Sequence, residues 1–499
     1  MDVYAQMLQG FATVLQPIYL WYTLLGCLLG TVIGVLPGLG PAAGIALLLP
    51  ITFGMDPTGA LIMLAGIYYG AMYGGSTTSI LINTPGESAA VMTTLDGYQM
   101  ARRGRAGAAL AVSAIGSFIA GTISVLLLSL FAVPFSEFAL HVGPAEFFTL
   151  LLFSMCSVAA LTGKSLARGL FSMLLGLVIA TVGIDLQSGM PRFTGGHVEL
   201  LDGIPFLIAA VGLFALAEVF VNLEAHLRGR SEVLGISGPL WLTREEWRRS
   251  VWPILRGTGI GFVKGLLPGG GATIATVLSY SLERSLSKAP ERFGKGAIEG
   301  VAGPEAANNA AVGGNLVPLL TLGLPSGSTT AILLGAFVMF GIQPGPMLMQ
   351  QHPELVWSVI HSMYVGNLAL LVLNLPLIFI FVRLLYIPTG LMLPGIVVIA
   401  GIGIYSINGS VFDLYLVLAF GLLGYAFRKF QVPTAPLVLA MVLGDPLEQS
   451  LRQGLTISGG SPAIFVASPI GQVFTALSVG ILVLSFVLHQ RRVWRGALA

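Results

Sequence analysis

The sequence predicts an all-α polytopic membrane protein, with roughly ten to fourteen transmembrane or re-entrant helices in two inverted structural repeats with broken helices. Three observations predict it: long stretches without charge, a glycine-proline motif that recurs at a constant offset, and a Lys/Arg bias that reverses between the halves.

The 499 residues are 55% hydrophobic and 9% charged, with a mean hydropathy of +0.88. A soluble domain carries about 25% charged residues, so a water-soluble fold of this size would lack the polar surface to stay dispersed. Residues 3 to 55, 57 to 86, 106 to 136, 265 to 282, 306 to 353, 355 to 382 and 453 to 490 contain no Asp, Glu, Lys or Arg. One crossing needs about 20 apolar residues. The runs are apolar all round rather than alternating, which selects helices over the strands of a barrel. A net charge of +2, with basic residues in short clusters, gives no footprint for nucleic acid. The N-terminus has Asp2 and no basic region before Trp21, so the first apolar segment is expected to remain in place. Cys27 and Cys156 sit in apolar runs and the six histidines are scattered, which points to neither a disulfide framework nor a metal site.

The repeat is carried by Gly26, Gly30, Gly34, Leu36, Pro37, Gly38 and Gly40, which match Gly257, Gly261, Gly265, Leu267, Pro268, Gly269 and Gly271 at an offset of 231. A lone GxxxG marks only a close helix contact; seven identities in one register, ending in a helix breaker, mark a duplicated unit. A second match follows, YGGSTTSILINTPGE against GGNLVPLLTLGLPSGS, and it competes with an alignment of GSTTSIL at Gly75 on GSTTAIL at Gly327. The chain divides into a first repeat at 1–225, a cytoplasmic connector at 226–256 with TREEWRR, and a second repeat at 257–499.

Charge suggests that the halves are inverted. The loop at Gly54 to Pro57 after the first LPG motif has no Lys or Arg, whereas the corresponding second loop has Arg284, Lys288, Arg292 and Lys295. After the second motif the bias reverses: Arg102, Arg103 and Arg105 in the first half, none from Gly341 to Glu354 in the second. Cytoplasmic loops carry the Lys/Arg excess. Inverted halves around a central site are the common build of alternating-access carriers.

Pro37-Gly38, Pro85-Gly86, Pro268-Gly269 and Pro325-Ser326 interrupt apolar segments and should break helices there. Freed backbone in a bilayer must be buried in protein or line a wet cavity, and a broken helix aims its N-terminal amides into the gap. The candidate substrate- and ion-binding residues are therefore Pro37, Gly38, Gly40, Ser76, Thr77, Asn83, Thr84, Pro85 and Gly86 in the first half, and Pro268, Gly269, Gly270, Asn308, Asn309, Pro325, Ser326, Ser328 and Thr329 in the second. Their hydroxyls and amides can donate to carboxylate oxygens or ligate a cation. Glu87, Glu305 and Lys264 are expected only at segment margins, which disfavours a proton relay and favours Na⁺ as the coupling ion. Lys264 either snorkels to an interface or approaches an anion at the break. GKS at Gly163 to Ser165 lacks the first glycine of a nucleotide loop. Neither HExxH nor GxSxG appears, so no enzyme is indicated.

VLPGLGPAAGIALLLP, YYGAMYGGSTTSILINTPGESAAVMTTLDGYQMARRGRAG, GLLPGGGATIATVLSY and KGAIEGVAGPEAANNAAVGGNLVPLLTLGLPSGSTTAILLGAF closely resemble the large membrane subunit of tripartite tricarboxylate transporters. The resemblance covers essentially the whole chain. It implies a multi-pass permease of the bacterial inner membrane, working with a small membrane subunit and a periplasmic solute-binding protein. It implies import of a di- or tricarboxylate on an ion gradient, generally Na⁺, and no cofactor. The motifs carry over onto Pro37 to Gly40, Asn83 to Glu87, Pro268 to Gly271, Glu305 to Asn309 and Pro325 to Thr330. Ser88 stands where the family pattern has proline, Ser326-Gly327 reverses a Gly-Ser order, and Lys264 is atypical; these departures bear on which carboxylate is carried.

Overall fold

The computed structural model describes residues 3–162, 165–185, 187–226, 234–269 and 271–497. The first half holds α1 (Val3–Val14), α2 (Pro17–Val35), α3 (Pro41–Leu48), α4 (Pro57–Ile82), α5 (Val91–Arg102), α6 (Ala106–Ala139), α7 (Pro144–Leu161), α8 (Leu166–Ala180), α9 (Phe206–Ala210) and α10 (Ala217–His226). The second holds α11 (Arg244–Gly265), α12 (Gly271–Leu286), α13 (Glu299–Leu322), α14 (Ser328–Met339), α15 (Leu348–Gln351), α16 (Pro353–Asn374), α17 (Ile378–Val382), α18 (Thr389–Asn408), α19 (Val411–Lys429), α20 (Ala435–Ile457) and α21 (Pro469–Ala497). Between α8 and α9, β1 (Gly183–Ile184) pairs antiparallel with β2 (Pro191–Arg192).

The fold is all-α, as the charge-free runs require. Among the described residues eight helices are long and apolar enough to cross a membrane, and Pro41–Thr52, Leu166–Ala180 and Ser328–Met339 are apolar but too short to cross alone. The helices break at all four expected places: α2 stops before Leu36, α4 before Asn83, α11 before Leu266 and α13 before Gly323. Prolines elsewhere, such as Pro304 and Pro318 within α13, leave their helix continuous, so proline alone does not end these helices. Glycine in a left-handed conformation beside the proline does: Gly38 and Gly40 lie at φ +83° and +23°, and their counterparts Gly269 and Gly271 at +88° and +27°.

Two helices form the centre. Every residue of α4 from Gly59 to Ile82 and of α13 from Gly300 to Thr321 is buried. Such helices, rich in Gly, Ser, Thr and Asn, are sheathed by others on all faces. The glycine ridge of α2 makes this close packing: a Cβ on Gly26, Gly30 or Gly34 would collide with the carbonyl oxygens of Met63, Ile67 and Ala71. On α11, Gly257, Gly261 and Gly265 meet the carbonyl oxygens of Gly303, Ala307 and Ala311 in the same way. The four-residue steps match in both pairs, so the repeated GxxxGxxxG builds one backbone-to-backbone packing twice. Matching Met63 to Gly303 then pairs Pro85 with Pro325. In the competing alignment a helix interior would match a helix start, because GSTTSIL at Gly75 lies inside α4 whereas GSTTAIL at Gly327 opens α14.

The connector begins at the last residue of α10, has 227–233 outside the described residues, and ends inside a helix: α11 runs uninterrupted across 256 and 257. Thr243 opens it with a capping box, its hydroxyl accepting from the Glu246 backbone while Glu246 accepts from the Thr243 backbone at 2.9 Å. The two Arg-rich loops share one face of the molecule. Asp96 in the middle of α5 accepts from the backbone amides of Gly294, Gly296 and Ala297 at 3.1, 2.7 and 2.7 Å, and Arg105 pairs with Glu246. At the other end of α2, Tyr19 donates to Asp56, while Gln9 and Thr13 of α1 donate to Glu354.

Candidate functional site

The four breaks lie in two pairs. In the first half, the Gly40 amide donates to the Gly86 carbonyl at 3.1 Å; in the second, the Gly269 amide donates to the Ser326 carbonyl at 3.1 Å. Gly86 packs against Gly75 and the Gly34 carbonyl, and its counterpart Ser326 donates its hydroxyl to the Gly265 carbonyl at 3.0 Å. Pro37 and Gly38 complete the first loop, with Gly38 against the Glu218 side chain; Pro268 completes the second. Each pair of loops opens two helices, α3 with the Ser88–Ala90 turn leading into α5, and α12 with α14. The halves cross here, since α3 touches α14 and the Ser88–Ala90 turn touches α12. Ser88 and Thr273 hydroxyls meet at 2.9 Å across that contact.

Two bonds from α13 reach the first half, one to a break loop and one to α4. Asn308 Nδ2 donates to Glu87 Oε1 at 2.8 Å, and Asn315 Nδ2 donates to the Tyr68 hydroxyl at 2.9 Å. Seven residues apart, both asparagines lie on one face of α13. Asn315 also borders Gly271 at the start of α12. The Oδ1 atoms of Asn308 and Asn315 are buried without a hydrogen-bond partner, two acceptors left unused beside Glu87 and Gly271.

The remaining candidates divide. Ser76 donates to the Glu305 carboxylate, which also accepts from Thr93 and from Ser113 at 3.3 Å. Asn309 turns to Ser117 on α6 at 2.7 Å and does not reach the break loops. Thr77 is buried in α4; Pro325 is buried, and Ser328 and Thr329 are half-buried in the first turn of α14. Asn83 is exposed at φ +54°, capping α4, and Thr84 bonds the Ile82 carbonyl at 3.3 Å. Gly270, and the GKS residues Gly163 and Lys164, lie outside the described residues.

Glu305 departs most from its expected place. It stands near the N-terminal end of α13, as a segment margin, yet it is fully buried and held by hydroxyls from α4, α5 and α6. The helix itself is inside the protein, so position along it says nothing of depth. Lys264 is half-buried and its ammonium donates to the Gly269 carbonyl at 3.2 Å, in the loop of the second-half break. No described Lys or Arg is buried, whereas Glu305, Glu218, Glu283, Asp96 and Asp413 are. Tyr68 was not among the candidates; the i, i+7 spacing of Asn308 and Asn315, which sets Asn315 on the same helix face, is the signal that could have led to it.

A polytopic α-helical membrane protein with two pairs of interlocked broken helices around buried polar side chains defines a permease. Residues 20–439 match the tripartite tricarboxylate transporter TctA family, and the chain belongs to that family. It is 47% identical over 487 residues, 98% of this chain and 97% of the relative, to an uncharacterized 52.8 kDa protein in the TAR-I ttuC' 3' region of Agrobacterium vitis. A protein in the TAR-II ttuC' 3' region of Agrobacterium vitis is 47% identical over 227 residues, 46% of this chain and 94% of that relative. No solved structure matches the chain. The protein is thus a multi-pass membrane subunit of a tripartite tricarboxylate transporter.

Proposed function

We propose that this subunit carries a di- or tricarboxylate across the bacterial inner membrane by alternating access of two inverted halves, divided at the connector, with the anion bound between the paired break loops. A periplasmic solute-binding protein delivers the substrate and a small membrane subunit completes the assembly. The observation that carries this reading is the crossed set of break loops, tied to the centre through Asn308 and Glu87. Helix N-termini and neutral donors there can hold carboxylate oxygens. With no described Lys or Arg fully buried, the anion's charge must be offset by those termini and by a co-bound cation.

Na⁺ as that cation is supported by the family and by the unpartnered oxygens of Asn308 and Asn315. The buried Glu305 removes one ground for preferring Na⁺ to protons, because a deep carboxylate is now on the page. Uptake into proteoliposomes holding both membrane subunits tests the proposal, with Na⁺ and proton gradients imposed separately. Concentrative uptake that needs an inward Na⁺ gradient and the binding protein is expected. Equal accumulation with K⁺ in place of Na⁺, or without the binding protein, would defeat the corresponding half, and equilibration without accumulation would mark a channel.

A further inference from the structure

Between α8 and α9 the chain presents apolar side chains to solvent from a backbone fixed by ion pairs. Phe193 is 74% exposed, Val198 74% and Met190 65%. Phe193 also lies at φ +54°, a strained conformation for a bulky side chain. The base of this hairpin is clamped to α20: Arg192 donates to Glu448 at 3.0 Å, and Arg452 donates to Asp185 at 3.0 Å and to Gln187 at 2.7 Å. A cleft of ≈ 330 Å³ between hairpin and α20 is lined by these groups with Asp202 and Asp445.

The hairpin lies at the end of the bundle opposite the Arg102 to Arg105 loop, since Gly454 near the end of α20 packs on Ala145, just past the far end of α6. Helices α8 and α20 run side by side in one direction, with Ser172 bonded to the Pro433 carbonyl at 2.5 Å, Gly176 against Leu437 and Ala180 against Gly444. Arg168, Arg428 and Lys429 stand at the starting end of this pair, and the hairpin stands at the finishing end. A basic end belongs to the cytoplasm, which puts the hairpin outside.

We infer that the hairpin from Ile184 to Val198 is a docking knob for a soluble extracytoplasmic protein that offers an apolar pocket edged by Lys or Arg. The inference rests on delivery by a binding protein as proposed above. Asp185, Glu199, Asp202, Asp445 and Glu448 outnumber Arg192 and Arg452, and both arginines are already paired. An acidic rim suits a basic partner and repels an anionic lipid surface, to which interfacial segments turn Lys and Arg. Aromatic and methionine anchors inside a polar rim are what protein interfaces use.

The test is uptake by the intact reconstituted transporter as a function of binding-protein concentration, for the wild type, Phe193→Gly and Met190→Ala. Glycine suits the left-handed backbone, so Phe193→Gly removes the ring without forcing the chain. The half-saturating binding-protein concentration should rise about tenfold or more, as for loss of an interface anchor, with maximal uptake retained at saturation. Unchanged half-saturation in both variants would overturn the inference, as would quenching of Phe193→Trp by brominated lipid without binding protein. Wild-type uptake indifferent to the binding protein would bring down the delivery reading as well. A dependent transporter with indifferent variants would bring down the docking knob alone.

Discussion

The Asn308 side-chain amide donates to the Glu87 carboxylate across 2.8 Å, a bond that fastens the central helix of one half to a break loop of the other. Its disposition is asymmetric, because the positions matching Asn308 and Glu87 in the repeat are Tyr68 and Gly327. One half supplies the acid at the crossing and the other supplies the amides.

Asn308→Ala should therefore reduce uptake sharply while leaving expression and insertion intact. Leaving a buried hydrogen-bond partner unsatisfied costs about 1 to 3 kcal/mol, or about five- to a hundredfold in uptake at limiting substrate. Glu87→Gln keeps the shape and removes the acid function, so a matching loss there would show that the carboxyl group, and not packing, is needed. Normal uptake in both variants would move the site elsewhere.

The glycine ridges predict a graded stability series. Gly30→Ala and Gly261→Ala force a Cβ into the carbonyl oxygens of Ile67 and Ala307 and should each cost about 1 to 3 kcal/mol by overpacking. Gly259, on the same helix, has nothing within 4 Å of an added Cβ, and Gly259→Ala should be neutral or mildly stabilising. Thermal unfolding of purified protein in detergent reads the difference; equal melting of all three variants would show that the ridge contacts are slack.

Asn83 separates backbone from chemistry. It caps α4 at φ +54°, where asparagine or glycine is accepted and alanine is strained. Asn83→Gly should hold stability within about 0.5 kcal/mol while Asn83→Ala loses about 1 kcal/mol or more. If both variants transport normally at permissive temperature, the exposed side chain has no part in binding. The sequence alone supports the opposite expectation, that Asn83→Ala leaves the fold nearly intact and weakens uptake, since the left-handed cap cannot be read from composition.

The breaks were legible because they depend on local chemistry: Pro next to a glycine that must turn left-handed, repeated at one offset. The helical fold was legible because burial in lipid demands uninterrupted apolar stretches. Glu305 was misjudged because its depth depends on α4, α5 and α6 closing around it, a tertiary fact with no local signature. Asp96 escaped notice for the same reason: its three amide partners come from a loop about 200 residues away. Asn308 and Asn309 looked equivalent as neighbours, yet helical geometry turns one to a break loop and the other to α6.

At the extramembrane hairpin, the Gln187 backbone amide and the Arg452 guanidinium push the Asp185 carboxyl down to about 2. A lowered carboxyl contributes stability above the ordinary carboxylate range and loses it as pH falls through the lowered value. The clamp should therefore stay closed from pH 7 to pH 4. Hydrogen exchange of the segment from Gly183 to Arg192, corrected for intrinsic rates, should show constant protection over that range and a loss in Asp185→Asn. Opening of the wild-type hairpin by pH 4 would contradict the pairing.

Sidedness is tested by single cysteines at exposed sites in four loops. Asp96 and the amides of Gly294, Gly296 and Ala297 hold both Arg-rich loops on one face, and that face should be cytoplasmic because Lys and Arg concentrate there. Phe53 and Gln351 stand in the loops that lack Lys and Arg and are exposed, as are Arg103 and Lys288 in the basic loops. The native Cys27 and Cys156 are free and buried, so they give little background. A membrane-impermeant maleimide added to intact cells should label Phe53→Cys and Gln351→Cys, and should reach Arg103→Cys and Lys288→Cys only after permeabilisation. Phe53 follows the first LPG motif and Lys288 follows the second, so their opposite labelling would mean that matching loops of the two halves face opposite sides. External labelling of Arg103→Cys and Lys288→Cys together would reverse the assigned sidedness, and labelling of Phe53→Cys and Lys288→Cys from the same side would rule out inversion altogether.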